Sequence, residues 1–188
     1  VADHRLHPIT PLGHDTPHSV TIGPVTITEV TDTALASLAA RLGEGKAVAD
    51  IADTAGIPLP GSGHAAQGAT FAAFWLSPDM WMVEAPFATH EDIVAILKPH
   101  FGETASLTEQ TDAWARFDVT APDLPAMFER LCNFDLRAHG PGAATRTVIE
   151  HLGCYVVIRA PGHLSVLGPR SSAASLFHAL ETAARSAF

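Results

Sequence analysis

The stretch FAAFWLSPDMWMVE, residues 71–84, decides how the rest of the chain is read. Phe71 to Leu76 and Met80 to Glu84 are aromatic and aliphatic runs of strand composition. Between them Ser77-Pro78-Asp79 is a turn sequence, because proline pre-sets φ and aspartate tolerates the tight backbone that follows. The segment predicts a β-hairpin. A second hairpin is predicted from Tyr155 to Arg159 and Leu164 to Leu167, and its prolines Pro161 and Pro169 stand 83 residues after Pro78 and Pro86. A helix is expected after each. One starts at about His90 and carries Ile93, Val94, Ile96 and Leu97; the other closes the chain on Ala173, Leu176, Phe177, Leu180 and Ala184, with Ser171 or Ser172 as its cap.

Outward from the hairpins, Val25, Ile27 and Glu29 alternate with threonines as in a strand. Thr31 or Asp32 then offers an N-cap to a helix carrying Leu35, Leu38, Ala39 and Leu42, which Gly43 ends. In the second half Trp114 to Val119 is a strand, Thr120 precedes a helix with Leu124, Met127, Phe128 and Leu131, and Thr147 to Glu150 adds a short strand. Thr31, Leu35, Leu38 and Leu42 match Thr120, Leu124, Met127 and Leu131 at an offset of 89. The loop-like segment Gly56 to Gly68, after a short helix at about Val48 to Ala55, absorbs the change of offset. Two pseudo-symmetric βαββα repeats, about residues 25–106 and 107–188, are therefore expected to pack as one α+β domain with a mainly antiparallel sheet.

Residues 1–24 hold four prolines and four histidines without apolar periodicity, and read as an extended N-terminal arm. Leu6, Ile9, Leu12 and Val20 can anchor it on its own domain or on a neighbour. His4, His7, His14 and His18 suggest a metal site, but Pro11, Gly13 and Pro17 break the helix that would align His14 with His18, so no metal is expected.

With 188 residues, 47% of them apolar and 16% charged, the chain can build a single core and bury about 70% of its extended surface. Two cysteines, Cys132 and Cys154, lie in apolar sequence and read as reduced core thiols, which points to a cytoplasmic protein. No apolar stretch is long enough for a bilayer and the first residues lack a signal-peptide core, so no membrane association is expected. Two lysines and a net charge of −9 argue against nucleic acid as a partner. The charge is uneven: residues 1–112 carry 14 acids and 4 bases, whereas residues 113–188 carry 6 acids and 7 bases. Such asymmetry suits either a solvated acidic half or a face that steers a partner.

No catalytic constellation emerges. GSGHAAQG, from Gly61, lacks the third glycine of a dinucleotide fingerprint, and GEGK, from Gly43, lacks the spacing of a phosphate loop. Serines 171 and 172 lack a Gly-x-Ser-x-Gly turn. Arg137, Arg146 and Arg159 fall at strand or loop ends, where a planar guanidinium can clasp a carboxylate internally or across an interface. Trp75, Trp81 and Trp114 are candidate interface anchors, each with core packing as the alternative role.

From Leu107 onward the sequence resembles the gamma subunit of heterotetrameric sarcosine oxidase. The resemblance is carried by Gln110, Asp112, Ala113 and Trp114, by Leu131, Cys132, Asp135 and Leu136, by Arg146, Thr147, His151 and Arg159, and by Arg170 and Ser171. It covers about the last 80 residues, and more loosely the FWLSPDMWMVEAP hairpin. The resemblance implies a fold like part of the folate-binding aminomethyltransferases. It also implies a complex that demethylates sarcosine to glycine with formation of hydrogen peroxide and 5,10-methylenetetrahydrofolate. In such a complex the alpha and beta subunits hold FAD, FMN and NAD, the delta subunit holds zinc, tetrahydrofolate is a co-substrate, and the gamma subunit is structural. This chain is thereby expected to bind no cofactor or metal and to have no catalytic residue. Its interface residues are expected to be Leu6, Ile9, Leu12, Trp75, Trp81, Arg137 and Arg146. The rivals are a stand-alone folate-binding or aminomethyl-transferring protein on the same fold, and a small regulatory binding module. The signature of a related iron-sulfur maintenance family, Lys before Gly-Cys-Tyr, is absent, since Leu152 precedes Gly153.

Overall fold

Val25, Ile27 and Glu29 turn to one side of an extended segment and Thr26, Thr28 and Val30 to the other, the two-residue period of a strand with one fully covered face. The computed structural model describes residues 7–188 and places this segment within a six-stranded sheet. In chain order the elements are β1 (Ser19–Ile22), β2 (Val25–Val30), β3 (Thr33–Ala40), α1 (Gly45–Thr54), β4 (Ala65–Gln67), β5 (Ala72–Ser77), β6 (Met80–Pro86), α2 (Phe87–His90), α3 (Ile93–Phe101) and β7 (Ala105–Glu109). The second half continues with β8 (Trp114–Thr120), α4 (Leu124–Phe128), β9 (Ala144–Ile149), β10 (Leu152–Ala160), β11 (His163–Pro169) and α5 (Ala173–Ala187). No helix among the described residues is long and apolar enough to cross a membrane.

The strands form two antiparallel sheets, ordered β1-β2-β8-β11-β10-β9 and β4-β5-β6-β3-β7. Three apolar clusters arrange them in four layers. Phe117, Val156 and Val166 of the first sheet pack with Phe128 of α4 and Leu176 and Leu180 of α5. Ala36, Leu38 and Val83 of the second pack with Val48 of α1 and Leu97 and Phe101 of α3. Between the sheets lie Leu35, Phe74, Met82, Tyr155, Val157 and Leu167. The order is helix, sheet, sheet, helix. The sheets are tied at one corner, where the Ala65 N–H donates to the Gly142 carbonyl at 2.7 Å and the Ala144 N–H to the Gly63 carbonyl at 2.9 Å.

The expected helix over Leu35 to Leu42 is the strand β3. This strand is central in its sheet, and Ala34, Ala36 and Leu38 are buried on the helix side while Leu35 and Ser37 are buried on the other. A strand covered on both faces reads as one apolar run, which matches helical spacing as well as it matches alternation. Leu42 lies beyond the strand, fully exposed, in a turn where Gly43 takes φ +84°. The match at an offset of 89 therefore pairs a strand with a helix, and it falls. The match at 83 stands on backbone detail. Both hairpins turn on two residues of which the second has positive φ, Asp79 at +57° and Gly162 at +71°. Both also carry a register shift at the same place, between Trp75 and Ser77 and between Ile158 and Ala160.

The repeat is also longer than βαββα. The matching units run β2-β3-α1-β4-β5-β6-α3 and β7-β8-α4-β9-β10-β11-α5, and their first strands are exchanged: β2 pairs with β8, and β7 with β3. Each sheet is completed by a strand from the other half. At the helix starts, α4 is capped by Asp123, whose carboxylate accepts from the Ala126 N–H at 3.3 Å, and Thr120 ends β8 instead. Asp92 caps α3 in the same way through Ala95, after the separate short helix α2. Ser172 stands at the N-cap of α5 without a side-chain capping bond.

Of the expected arm, Ser19–Ile22 is the edge strand β1, paired with β2. The described residues before it dock on their own domain. The buried carboxylate of Glu29 accepts from the Leu12 N–H at 2.9 Å and the His18 N–H at 3.0 Å, and Arg170 donates to the Ile9 carbonyl at 2.8 Å. Leu12 and Val20 pack on the first sheet's core. Leu6 lies outside the described residues.

Candidate functional site

Polar side chains are concentrated where the apolar layer between the sheets gives out. Strand alternation puts Arg116 and Asp118 of β8, Arg159 of β10 and Ser165 of β11 on the inner face of the first sheet, opposite Glu84 of β6. The Arg159 guanidinium donates twice to Glu84, at 2.7 and 2.8 Å, and its Nε donates to Ser165 Oγ at 2.9 Å. The Ser165 hydroxyl in turn donates to Asp118 Oδ1 at 2.6 Å. Arg116 donates to both oxygens of Asp118, at 2.8 and 3.0 Å, and to Thr33 Oγ1 at 3.3 Å, with Glu84 3.6 Å away. His163 Nε2 lies 3.0 Å from Asp118 Oδ2. Two carboxylates and two guanidiniums thus form one linked network across the sheets.

The network is largely out of water: the Glu84 side chain is 5% exposed and those of Arg116 and Arg159 are each 16% exposed. Burial alone would push the Asp118 carboxyl up, but the hydrogen bonds and charge of Arg116, with bonds from Ser165 and His163, hold it below the usual carboxylate range. Burial likewise opposes the charge on Arg116, and Asp118 and Glu84 outweigh it, so its pKa is raised. A carboxylate with a depressed folded pKa binds its proton more readily in the unfolded chain. Its stabilising contribution is complete above about pH 4, the unfolded value, and is lost as pH falls through the folded value. Urea unfolding at stepped pH should therefore show the wild type losing stability below about pH 4 more steeply than Asp118→Asn.

Two grooves flank this network. One, of about 480 Å³, is lined by Asp32, Thr33, Gln67, Thr70, Arg159 and His163. The other, of about 280 Å³, lies under the docked arm between Ile9, Pro11, Phe87, Trp114 and Arg170. Arg116 and Thr33 border both. Both carboxylates of the network are committed to guanidiniums, and His163, bonded to Asp118, lines the first groove. The strands are all antiparallel, and the two guanidiniums beside the first groove are taken by Glu84 and Asp118. Among the described residues no three His, Cys, Asp or Glu side chains are grouped to hold a metal. Burial pushes the Cys154 thiol up to about 11, and Cys132 is half-buried.

The interface residues expected from sequence, among those described, lie on different elements. Trp75 and Trp81 are cross-strand partners, both half-buried, and the Trp81 indole donates to the Pro60 carbonyl at 2.8 Å. Ile9 is 54% exposed, whereas Leu12 spends its apolar surface on the chain's own core. Arg137 is exposed and paired with Glu129; Arg146 is exposed on β9. Arg159 is an internal clasp on Glu84, not an interface group. Trp114 donates to Gln110 at 3.1 Å and meets Tyr155 edge-on between the sheets. Sequence reasoning missed Glu84, Arg116, Asp118, His163 and Ser165 as a set. The available signal was Arg116-x-Asp118 in a strand, which puts opposite charges on one face.

No protein-family model and no curated protein sequence matches the chain. Among solved structures it is similar to a chain of the heterotetrameric sarcosine oxidase from Corynebacterium sp. U-96, in complex with pyrrole 2-carboxylate. The TM-score is 0.75 and the identity 21%, over 89% of this chain and 88% of that one. It is also similar to the glycine cleavage system aminomethyltransferase T from Bartonella henselae, with a TM-score of 0.61 and 13% identity. That match takes in 84% of this chain and 48% of the other, so this chain spans about half the transferase's length. At these identities the likeness establishes the fold, an antiparallel α+β architecture shared with both.

Proposed function

We propose that the chain is a non-catalytic structural subunit of a heterotetrameric sarcosine oxidase, in the place of its gamma subunit. The observation that carries this reading is the coverage: the fold extends over almost all of this chain and almost all of one chain from such an enzyme. The cleft supports it, because its charged groups are spent on one another across the sheets. In this reading the alpha, beta and delta subunits are the partners and hold FAD, FMN, NAD and zinc, with tetrahydrofolate as co-substrate, in the cytoplasm. The chain covers and orients them through the exposed Ile9, Arg137 and Arg146 and the half-buried Trp75 and Trp81.

The test is purification of the tagged chain from its own cells beside the same chain expressed alone. Co-purification with three further chains, flavin absorbance and sarcosine-dependent peroxide, against a colourless and inactive lone chain, is the expected result. A colourless monomer from native cells that binds tetrahydrofolate would overturn it in favour of a stand-alone folate-binding or aminomethyl-transferring protein.

A further inference from the structure

β9 is the last strand of the six-stranded sheet, so one side of its backbone faces away from the sheet. Its register on β10 pairs Ile149 with Leu152, Thr147 with Cys154 and Thr145 with Val156. In an antiparallel ladder alternate residues point their N–H and C=O groups away from the neighbour. The Ala144 N–H donates outward to Gly63, so the outward set is Ala144, Arg146 and Val148. Gly63 uses Ala144. Among the described residues no strand or loop backbone takes up Arg146 or Val148. Val148 is 59% exposed. The Arg146 guanidinium arches over Gly153 and has no ion-pair partner among the described residues, and Glu150 is exposed at the hairpin tip with φ +48°. The opposite edge, β1, is four residues long and exposes Ser19 and Thr21.

The sequence of this edge is complementary to itself. Laid antiparallel against a second copy with Val148 opposite Val148, it exchanges two hydrogen bonds at that pair, because both residues point their groups outward. The same register brings the long Arg146 side chain of each copy alongside Glu150 of the other, in the turn just past Ile149, one ion pair on each side of the twofold axis. Sliding the strands by one pair sets Arg146 against Val148, and by two sets it against Arg146. Charge therefore selects one register. We propose that β9 is a self-association edge through which two copies of this chain join their six-stranded sheets about Val148. The association concerns the free chain and does not rest on the subunit reading. One short edge buries less than the roughly 1,200 Å² of a standard interface, so the dimer is weak and concentration-dependent.

The experiment is sedimentation equilibrium of the purified full chain over a concentration series, with R146E, E150R, the double variant R146E/E150R, and V148P. The wild type is expected to pass from monomer to dimer. Each single reversal should weaken the dimer by about tenfold, replacing two attractive pairs with two repulsive ones, and the double variant should restore it. V148P should stay monomeric yet folded, since it removes only an N–H that the monomer does not use. A wild type that is monomeric at every concentration, reversals that bind like wild type, or a double variant that fails to recover would each overturn the proposal.

Discussion

Replacing Glu84 by alanine is expected to destabilise the protein by about 3–5 kcal/mol, because it leaves buried cations without their counter-charge. Among the described residues Glu84 is the one charged group of the network that the five-stranded sheet contributes, and Arg159 grips it with two hydrogen bonds at 2.7 and 2.8 Å. Once it is gone, Arg116 still has Asp118, but the Arg159 guanidinium retains only Ser165. Urea unfolding reads the effect as a lower midpoint with an unchanged slope. Removing Glu84 and Arg159 together, as Glu84→Met with Arg159→Met, should recover much of the loss, since two apolar side chains then fill the space without an unpaired charge. The control is Glu103→Ala: Glu103 pairs with Arg41 in the open, its side chain 89% exposed, and its removal should leave the midpoint in place. An Glu84→Ala midpoint equal to that of the wild type would mean that the network does not help to hold the sheets together.

Gly162→Ala should cost about 2–4 kcal/mol, from a left-handed backbone and a direct clash added together. Gly162 has φ +71°, and a Cβ there would stand 2.8 Å from the Ala121 carbonyl oxygen. That carbonyl cannot swing aside cheaply, because the Ala121 N–H donates to the Gly162 carbonyl at 3.0 Å and ties the two segments. The matching position of the first repeat is the internal control. Asp79 already carries a side chain at φ +57°, so Asp79→Gly should be neutral or slightly stabilising when measured by thermal unfolding. A loss at Gly162→Ala no larger than the gain at Asp79→Gly would show that backbone strain alone, and not the approach of Ala121, sets the cost.

These two sites were unequally legible. The hairpins, with Pro78 and Pro161 at matching places, could be read because a turn is a local event: proline and a residue that tolerates positive φ specify it within four residues. The closing helix was legible for the same reason, its apolar residues repeating at the helical period over 15 residues. β3 was not, since its second buried face exists only after the two sheets have stacked, and until then TALASLAA satisfies either period. The cleft was harder still. Glu84 and Arg159 are 75 residues apart, and nothing near either one in sequence names the other.

The amino-acid sequence by itself determined the local geometry of this protein: where the chain turns, which segments alternate, which face of the last helix is apolar, and that the two halves echo each other at 83 residues. Tertiary structure alone decided which strands became neighbours. The exchange of β2 and β7 between the halves, the burial of β3 on both faces and the meeting of Glu84 with two arginines depend on contacts between distant segments. The physical reason is one of range. Dihedral preference and periodicity act over a few residues, whereas burial and charge pairing are settled by whatever the folded chain brings alongside.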